Sequence, residues 1–304
     1  VGATWSSAGS TYTSTLAGKN YYSVALLPFG VAAATAANDY KQYAYVFPAN
    51  TAVAWQYNES TATMQSTYTV TPDVKEGSGT SVLQGLLPHQ WAHLSSLSAH
   101  PGSYSYTTSR GVMKMLGSNA FIVENQFKGV LSALPNMGKY SSGFDPAALE
   151  TKVELLKNTG LDTWTDSYNE GLMMNRLVQV AKIADQLGNT AARDKMMGTV
   201  KTRLENWLKA TPGENAFVFY YNNLWTTLIG YPAGHYSDAN INDHHFHYGY
   251  FIQAAAAIEQ FQPGWAASWG PMIQLLIQDA ANPDRANTKF PFLRNFNPYA
   301  GHAF

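Results

Sequence analysis

The chain has 304 residues, a formal net charge of -1, a pI near 6.8, and 13% charged against 13% aromatic residues. Near-neutrality removes the electrostatic footprint expected of a protein that binds nucleic acid or an anionic membrane surface. The absence of cysteine excludes disulfides and Cys-ligated zinc or iron–sulfur sites, and no stretch approaches the roughly 18–20 apolar residues of a membrane span.

The length favours two domains. The 8 Trp and 19 Tyr exceed what a core needs and suit a neutral polar ligand with apolar faces, such as a sugar polymer. A Tyr-rich β-sheet surface is the competing explanation. The chain opens at Val1 without a charged and apolar leader pattern, so it reads as a processed or partial polypeptide.

Residues 1 to about 130 read as strands. Y-Y-S-V-A-L-L-P at 21–28, Y-A-Y-V-F-P at 43–48, T-A-V-A-W-Q-Y at 51–57 and Q-S-T-Y-T-V at 65–70 are rich in β-branched and aromatic residues and bounded by turn formers. An antiparallel sandwich is the simplest architecture for them.

The period changes after Gly143. Asp145-Pro146 is an N-cap with Pro at the first helical position, and Leu149, Val153 and Leu156 keep helical spacing up to Gly160. Ser167 with Glu170 reads as a capping box ahead of Met173, Leu177, Val180, Ala184 and Leu187, with Gly188 as the stop. A third helix carries Met197, Val200, Leu204 and Trp207 and is bounded by Pro212. A fourth runs from about His244 to Phe261, and Pro271 starts a fifth that ends before Asn282-Pro283. Helical hairpins stacked on one another would bury these stripes.

One segment stands apart: N-D-H-H-F-H-Y-G-Y-F at 242–251 sets Asp243 beside three imidazoles and two phenols. No packing rule demands that mixture. If a helix begins near Asn242, Asp243 and His247 lie four apart and share a face. Asp243, His244, His245 and His247 could bind a metal, but adjacent His244 and His245 point about 100° apart on a helix, so one helix offers only a partial ligand set. Alternatively Asp243 is an acid catalyst in a cleft whose His and Tyr side chains hydrogen-bond sugar hydroxyls. The plain structural alternative is that Asp243 only N-caps the helix.

The decapeptide resembles the hallmark of glycoside hydrolase family 81, the endo-β-1,3-glucanases or laminarinases. Further blocks follow in the family's order: Y-Y-S-V-A-L-L-P at 21–28, G-L-L-P-H-Q-W at 85–91, R-G-V-M-K at 110–114 and F-K-G-V-L-S-A-L-P at 127–135. They continue with D-S-Y-N-E-G at 166–171, I-A-D-Q-L-G at 183–188, D-A-A-N-P at 279–283 and F-P-F-L-R at 290–294.

The resemblance implies a multidomain β + α chain: part of an N-terminal antiparallel β-sandwich over 1–100, a small α/β linker region over 101–144, and the first part of an (α/α)6 toroid over 145–304. It implies endo-hydrolysis of β-1,3-glucan with inversion, by a secreted or cell-wall protein that needs no cofactor and binds neither nucleic acid nor membrane. Asp243 matches the general acid, His247 a substrate contact on the same helix face, and His302 the His of a G-H block. Tyr250, Trp225 and His245 complete the expected substrate-binding set.

An inverting site needs a base carboxylate about 6.5–9.5 Å from the acid. In the family that base is a Glu following the G-H block, which places it beyond Phe304, in the remaining part of the same polypeptide. Of the internal glutamates, Glu170 is explained by capping and Glu259 lies far along the helix from Asp243, which leaves Glu214 as the internal candidate. Asn222 and Asn297 stand where acids are expected, and Ala303-Phe304 replaces Ser-Trp. A non-catalytic β-glucan-binding protein of the same fold is the rival from a different class.

Overall fold

A computed structural model describes residues 3–159, 163–294, 296–297 and 302–303. The chain divides into two compact units, Val1–Val130 and Leu131–Phe304.

The first unit contains, in order, β1 (Trp5–Ala8), β2 (Thr11–Ser14), α1 (Ala33–Tyr40), β3 (Val46–Asn58), β4 (Thr63–Val74), β5 (Leu83–Leu86), α2 (Pro88–Trp91), β6 (Ser105–Thr108), β7 (Gly111–Gly117) and β8 (Ala120–Gln126). β1 and β2 form a hairpin, and two antiparallel sheets run in the orders β3-β4-β8 and β5-β7-β6. Leu86, Leu116, Phe121 and Val123 come from both three-stranded sheets and form one buried cluster with Tyr68, Trp91 and Leu94 packed against it. The Tyr68 and Phe121 rings stack at 4.6 Å, a cross-strand pair set by the β4–β8 register.

The structure departs from three of the four strands read from composition. Residues 46–48 of the segment at 43–48 and all of 51–57 belong to one strand, β3, which runs through Pro48 with a register shift between Pro48 and Asn50, while residues 43–45 form a turn ahead of it. Proline lacks a ladder donor, and the bulge absorbs the mismatch. Residues 21–28 form no strand, and Val24 and Leu26 are about four-fifths exposed. The Tyr106 hydroxyl donates to Leu26 O at 2.5 Å. Within 101–144, β6 and β7 pair in the β5 sheet and β8 pairs with β4.

The second unit contains α3 (Pro146–Leu156), α4 (Ser167–Leu187), α5 (Thr190–Trp207), β9 (Val218–Asn222), β10 (Thr227–Tyr231), α6 (His244–Phe261), α7 (Trp265–Ala281), β11 (Phe296–Asn297) and β12 (His302–Ala303). α4 packs on α3, α5 and α6, and α6 packs on α7. Ala254, Ala255 and Ala257 on α6 are buried among Met174, Leu177, Met196, Leu204, Trp207, Phe251 and Ile258, so small residues let the helices approach closely. Asp145 caps α3 by accepting from Ala147 N and Ala148 N, and Gly188 ends α4 at φ 82°, a left-handed position open to glycine at little cost.

Two helix starts differ from expectation. α4 is capped by Asp166, which accepts from Tyr168 N at 2.9 Å and Asn169 N at 3.0 Å. Ser167 and Glu170 are therefore free for other partners. α7 begins at Trp265 and carries Pro271 inside it. The Glu259 carboxylate accepts from Gly264 N at 2.9 Å and Ala266 N at 2.7 Å, and Trp265 Nε1 donates to Glu205 Oε1 at 2.8 Å. These contacts fix the earlier start, and Pro271 sits on the exposed side of the helix.

Candidate active site

The N-terminus of α6 carries two polar networks, formed by residues that sit side by side in sequence. The first gathers on Asp279 of α7, which is fully buried. Its Oδ1 accepts from Leu228 N at 2.8 Å and Thr227 Oγ1 at 2.9 Å, and lies 3.3 Å from Arg294 Nη2. Its Oδ2 lies 2.5 Å from His244 Nδ1, while His244 Nε2 lies 3.0 Å from Ser237 O. Both imidazole nitrogens thus face acceptors, and each can carry a hydrogen. Arg294 also donates to Thr226 O at 2.7 Å and Asp279 O at 3.0 Å. Tyr248, one turn after His244, donates to Leu228 O at 2.6 Å, and burial pushes its phenol well above the ordinary range.

The second network contains Asp243 and His247. Asp243 occupies the N-cap position of α6 but lies at φ 56°, ψ 17°, and its side chain makes no cap hydrogen bond. The plain capping role is therefore absent. A conventional N-cap has extended geometry that turns its side chain toward the first-turn N–H groups, and the left-handed backbone does not. The hydrogen bond recorded for the half-buried Asp243 carboxyl comes from Asn242 Nδ2 at 3.1 Å. His235, Tyr236 and Ile241 in the approach to α6 share its positive φ, at 51°, 59° and 49°. Such a cluster of costly conformations persists where packing over-determines it and marks functional segments.

His247 lies one turn beyond Asp243 and is 1% exposed. Its Nδ1 meets Ser167 Oγ at 2.9 Å, and its Nε2 is buried without a hydrogen-bond partner. Burial, reinforced by the nearby His244 charge, lowers its pKa to about 4, with Asp243 pulling weakly the other way. The imidazole is thus neutral near pH 7. Tyr168 packs against it at 5.2 Å between ring centroids and also touches His235 at 4.4 Å and Tyr250 at 6.0 Å. Gly234 lets the chain pass close to the α4 cap, since a Cβ there would lie 2.2 Å from Asp166 Oδ1. Burial favours a raised Asp166 pKa, but hydrogen bonds from Asn169 and Tyr168 outweigh it and hold the carboxylate below its usual range.

Of the expected substrate-binding residues, His247 and Tyr250 come together through Tyr168. His245 leans on Phe246 at 4.6 Å and leaves its buried Nδ1 without a partner, as is Asn242 Oδ1. Trp225 sits at the tip of the β9–β10 hairpin, 45% exposed, and takes no part in those ring contacts. Asn222 accepts from Leu224 N at 3.0 Å and Trp225 N at 3.1 Å, a turn-forming role that an acid could fill equally. His302 lies in β12, paired through its backbone with Asn297, and its side chain is outside the described residues.

The internal glutamates have structural duties. Glu170 is buried with Arg203 Nη1 at 3.4 Å and accepts from Thr165 N at 3.1 Å; burial raises its pKa while Arg203 opposes the rise. Glu214 accepts from Asn206 Nδ2 at 3.0 Å, and Glu259 caps α7. Among the described residues no group of three or more His, Asp or Glu side chains is arranged to hold a metal.

The model of the glycosyl hydrolase family 81 C-terminal domain matches residues 146–304, more than half of the chain. The chain belongs to glycosyl hydrolase family 81. Over its whole length this family 81 chain is 42% identical to a glucan endo-1,3-beta-D-glucosidase from Acetivibrio thermocellus and 38% identical to one from Thermobifida fusca, spanning 39% of each. A mutant glycoside hydrolase family 81 structure from Clostridium thermocellum superposes with a TM-score of 0.87 at 41% identity, covering 100% of this chain and 42% of that one. The chain thus spans about two-fifths of the length of the relatives it matches.

Asp166, Ser167, Tyr168 and His235 surround the candidate site without sequence spacing that assigns them to it. The D-S-Y-N-E-G block at 166–171 carries the first three, and its letters predict only a helix start. Asp279 and Arg294 lie in the D-A-A-N-P and F-P-F-L-R blocks, and nothing in their spacing predicts that Asp279 meets both His244 and Arg294.

Proposed function

We propose that the protein carrying this chain hydrolyses β-1,3-glucan internally with inversion, and that Asp243 protonates the leaving glycosidic oxygen. The observation that carries this is a carboxyl released from capping duty at a strained helix start, beside a neutral buried imidazole with a free nitrogen, in a family 81 chain. His247, Tyr250, Trp225, His245 and His302 would contact the glucan. The base would be the Glu that the family resemblance places after the G-H block, while Glu214, the internal candidate, accepts from Asn206.

The fold proposed to support this is a β-sandwich portion in the first unit and part of an (α/α)6 toroid in the second, acting on cell-wall or storage glucan after secretion. Among the described residues no helix is long and apolar enough to cross a membrane. The test uses the full-length protein with laminarin, following reducing ends and the anomer released by NMR. Asp243→Asn at wild-type rate would remove the acid assignment, and release of the β-anomer would remove inversion. Retention on an insoluble glucan without any release of reducing ends would favour a binding protein of the same fold.

A further inference from the structure

The first turn of α4 places two consecutive residues on one imidazole: Ser167 bonds Nδ1 of His247, and the Tyr168 ring lies against its side. Ser167 is fully buried, and its Cβ is so close to the β10 backbone that a Cβ at Gly230 would lie 2.9 Å away. Its backbone N–H donates to Pro232 O at 2.9 Å. Among the described residues, its hydroxyl has His247 Nδ1 as its partner.

A buried hydroxyl hydrogen without an acceptor costs free energy. If His247 carries its hydrogen on Nδ1, that N–H donates to Ser167 Oγ. The serine hydrogen is then left without an acceptor, and the Nε2 lone pair without a donor. If the hydrogen is on Nε2, the serine donates to the Nδ1 lone pair and only the Nε2–H is unmatched. The second arrangement leaves one orphan where the first leaves two. The lowered pKa of His247 removes the doubly protonated form near neutrality.

We propose that Ser167 is a positioning residue that holds His247 as the Nε2–H tautomer, so that Nε2 donates a hydrogen bond to an oxygen of the bound ligand. The oxygen is a hydroxyl, ring or glycosidic oxygen of a neutral sugar. Only that identity rests on the glucan function proposed above, because the tautomer follows from the protein alone.

The test uses the full-length protein labelled with 15N-histidine, read by long-range proton–nitrogen correlation at pH 7, with the signal assigned by its loss in His247→Gln. A protonated Nε2 and an unprotonated Nδ1 are expected in the wild type. Ser167→Ala should give mixed tautomers and weaken binding of a laminarin oligosaccharide about five-fold, with KM moving more than kcat. An Nδ1–H signal in the wild type, or a tautomer unchanged in Ser167→Ala, overturns the assignment even if hydrolysis is normal. An Nε2 shift unmoved when the oligosaccharide saturates the protein overturns the donor role. An expected tautomer in a protein that binds no laminarin removes the glucan function and leaves the role of Ser167 standing.

Discussion

The two networks at the start of α6 are made from neighbouring residues, yet they differ in one respect that separates structure from chemistry. Around Asp279 every recorded oxygen has donors: two from the β10 backbone and Thr227, one from His244 and one from Arg294. Around Asp243 and His247 the bonds run out, leaving His247 Nε2, His245 Nδ1 and Asn242 Oδ1 without partners. A buried polar group is tolerated when satisfied, and an unsatisfied one needs another justification. The filled network anchors the helix start, and the unfilled one is the candidate for the proposed glucan contact.

If the contrast is real, the two carboxylates must fail in opposite ways. Asp243→Asn in the full-length protein should lower kcat on laminarin by about 10²–10⁴-fold, the usual worth of a general acid. It should leave unfolding free energy within about 0.5 kcal/mol, since no cap bond is lost and Asn also tolerates a left-handed backbone. Asp279→Ala should do the reverse in urea denaturation, costing about 3–5 kcal/mol, because it leaves the Arg294 guanidinium buried without its counter-charge and His244 Nδ1 without its acceptor. A stable, inactive Asp279 variant would erase the distinction.

Much of the second unit was legible because its signals are local. Asp145-Pro146, Gly188 and the 244–261 stripe predict helix limits that depend on nothing distant. Pairings between remote residues were not legible. Ser167 and Glu170 make a plausible capping box as letters, but Asp166 takes the cap, and the partners that claim the other two, His247 and Arg203, lie 80 and 33 residues further along the chain. The same limit hid Asp279 beneath His244. Residues 21–28 failed for the converse reason: a strand-like composition forms no strand where no neighbour offers a ladder.

Trp225 sharpens the contrast from outside the buried cluster. As a half-exposed ring at a hairpin tip it can stack on a sugar without supporting the fold. Trp225→Ala should weaken laminarin-oligosaccharide binding by about ten-fold or less, measured by calorimetry, with stability changed by no more than about 0.5 kcal/mol. Unchanged affinity would place the hairpin tip outside the binding path.

The smallest effect should be a change in slope. His247 titrates near 4 in the folded protein against an ordinary value of 6.5, so between those limits the unfolded chain binds a proton that the native state refuses. Stability should therefore fall as pH drops from about 6.5 toward 4, with no contribution from this group above 6.5 and the full penalty below 4. His247→Gln removes the titrating group while keeping an amide that can meet Ser167. Its urea midpoint should depend less steeply on pH across that window than the wild type's, and parallel curves would mean that the imidazole is not desolvated enough to stay neutral beside Asp243.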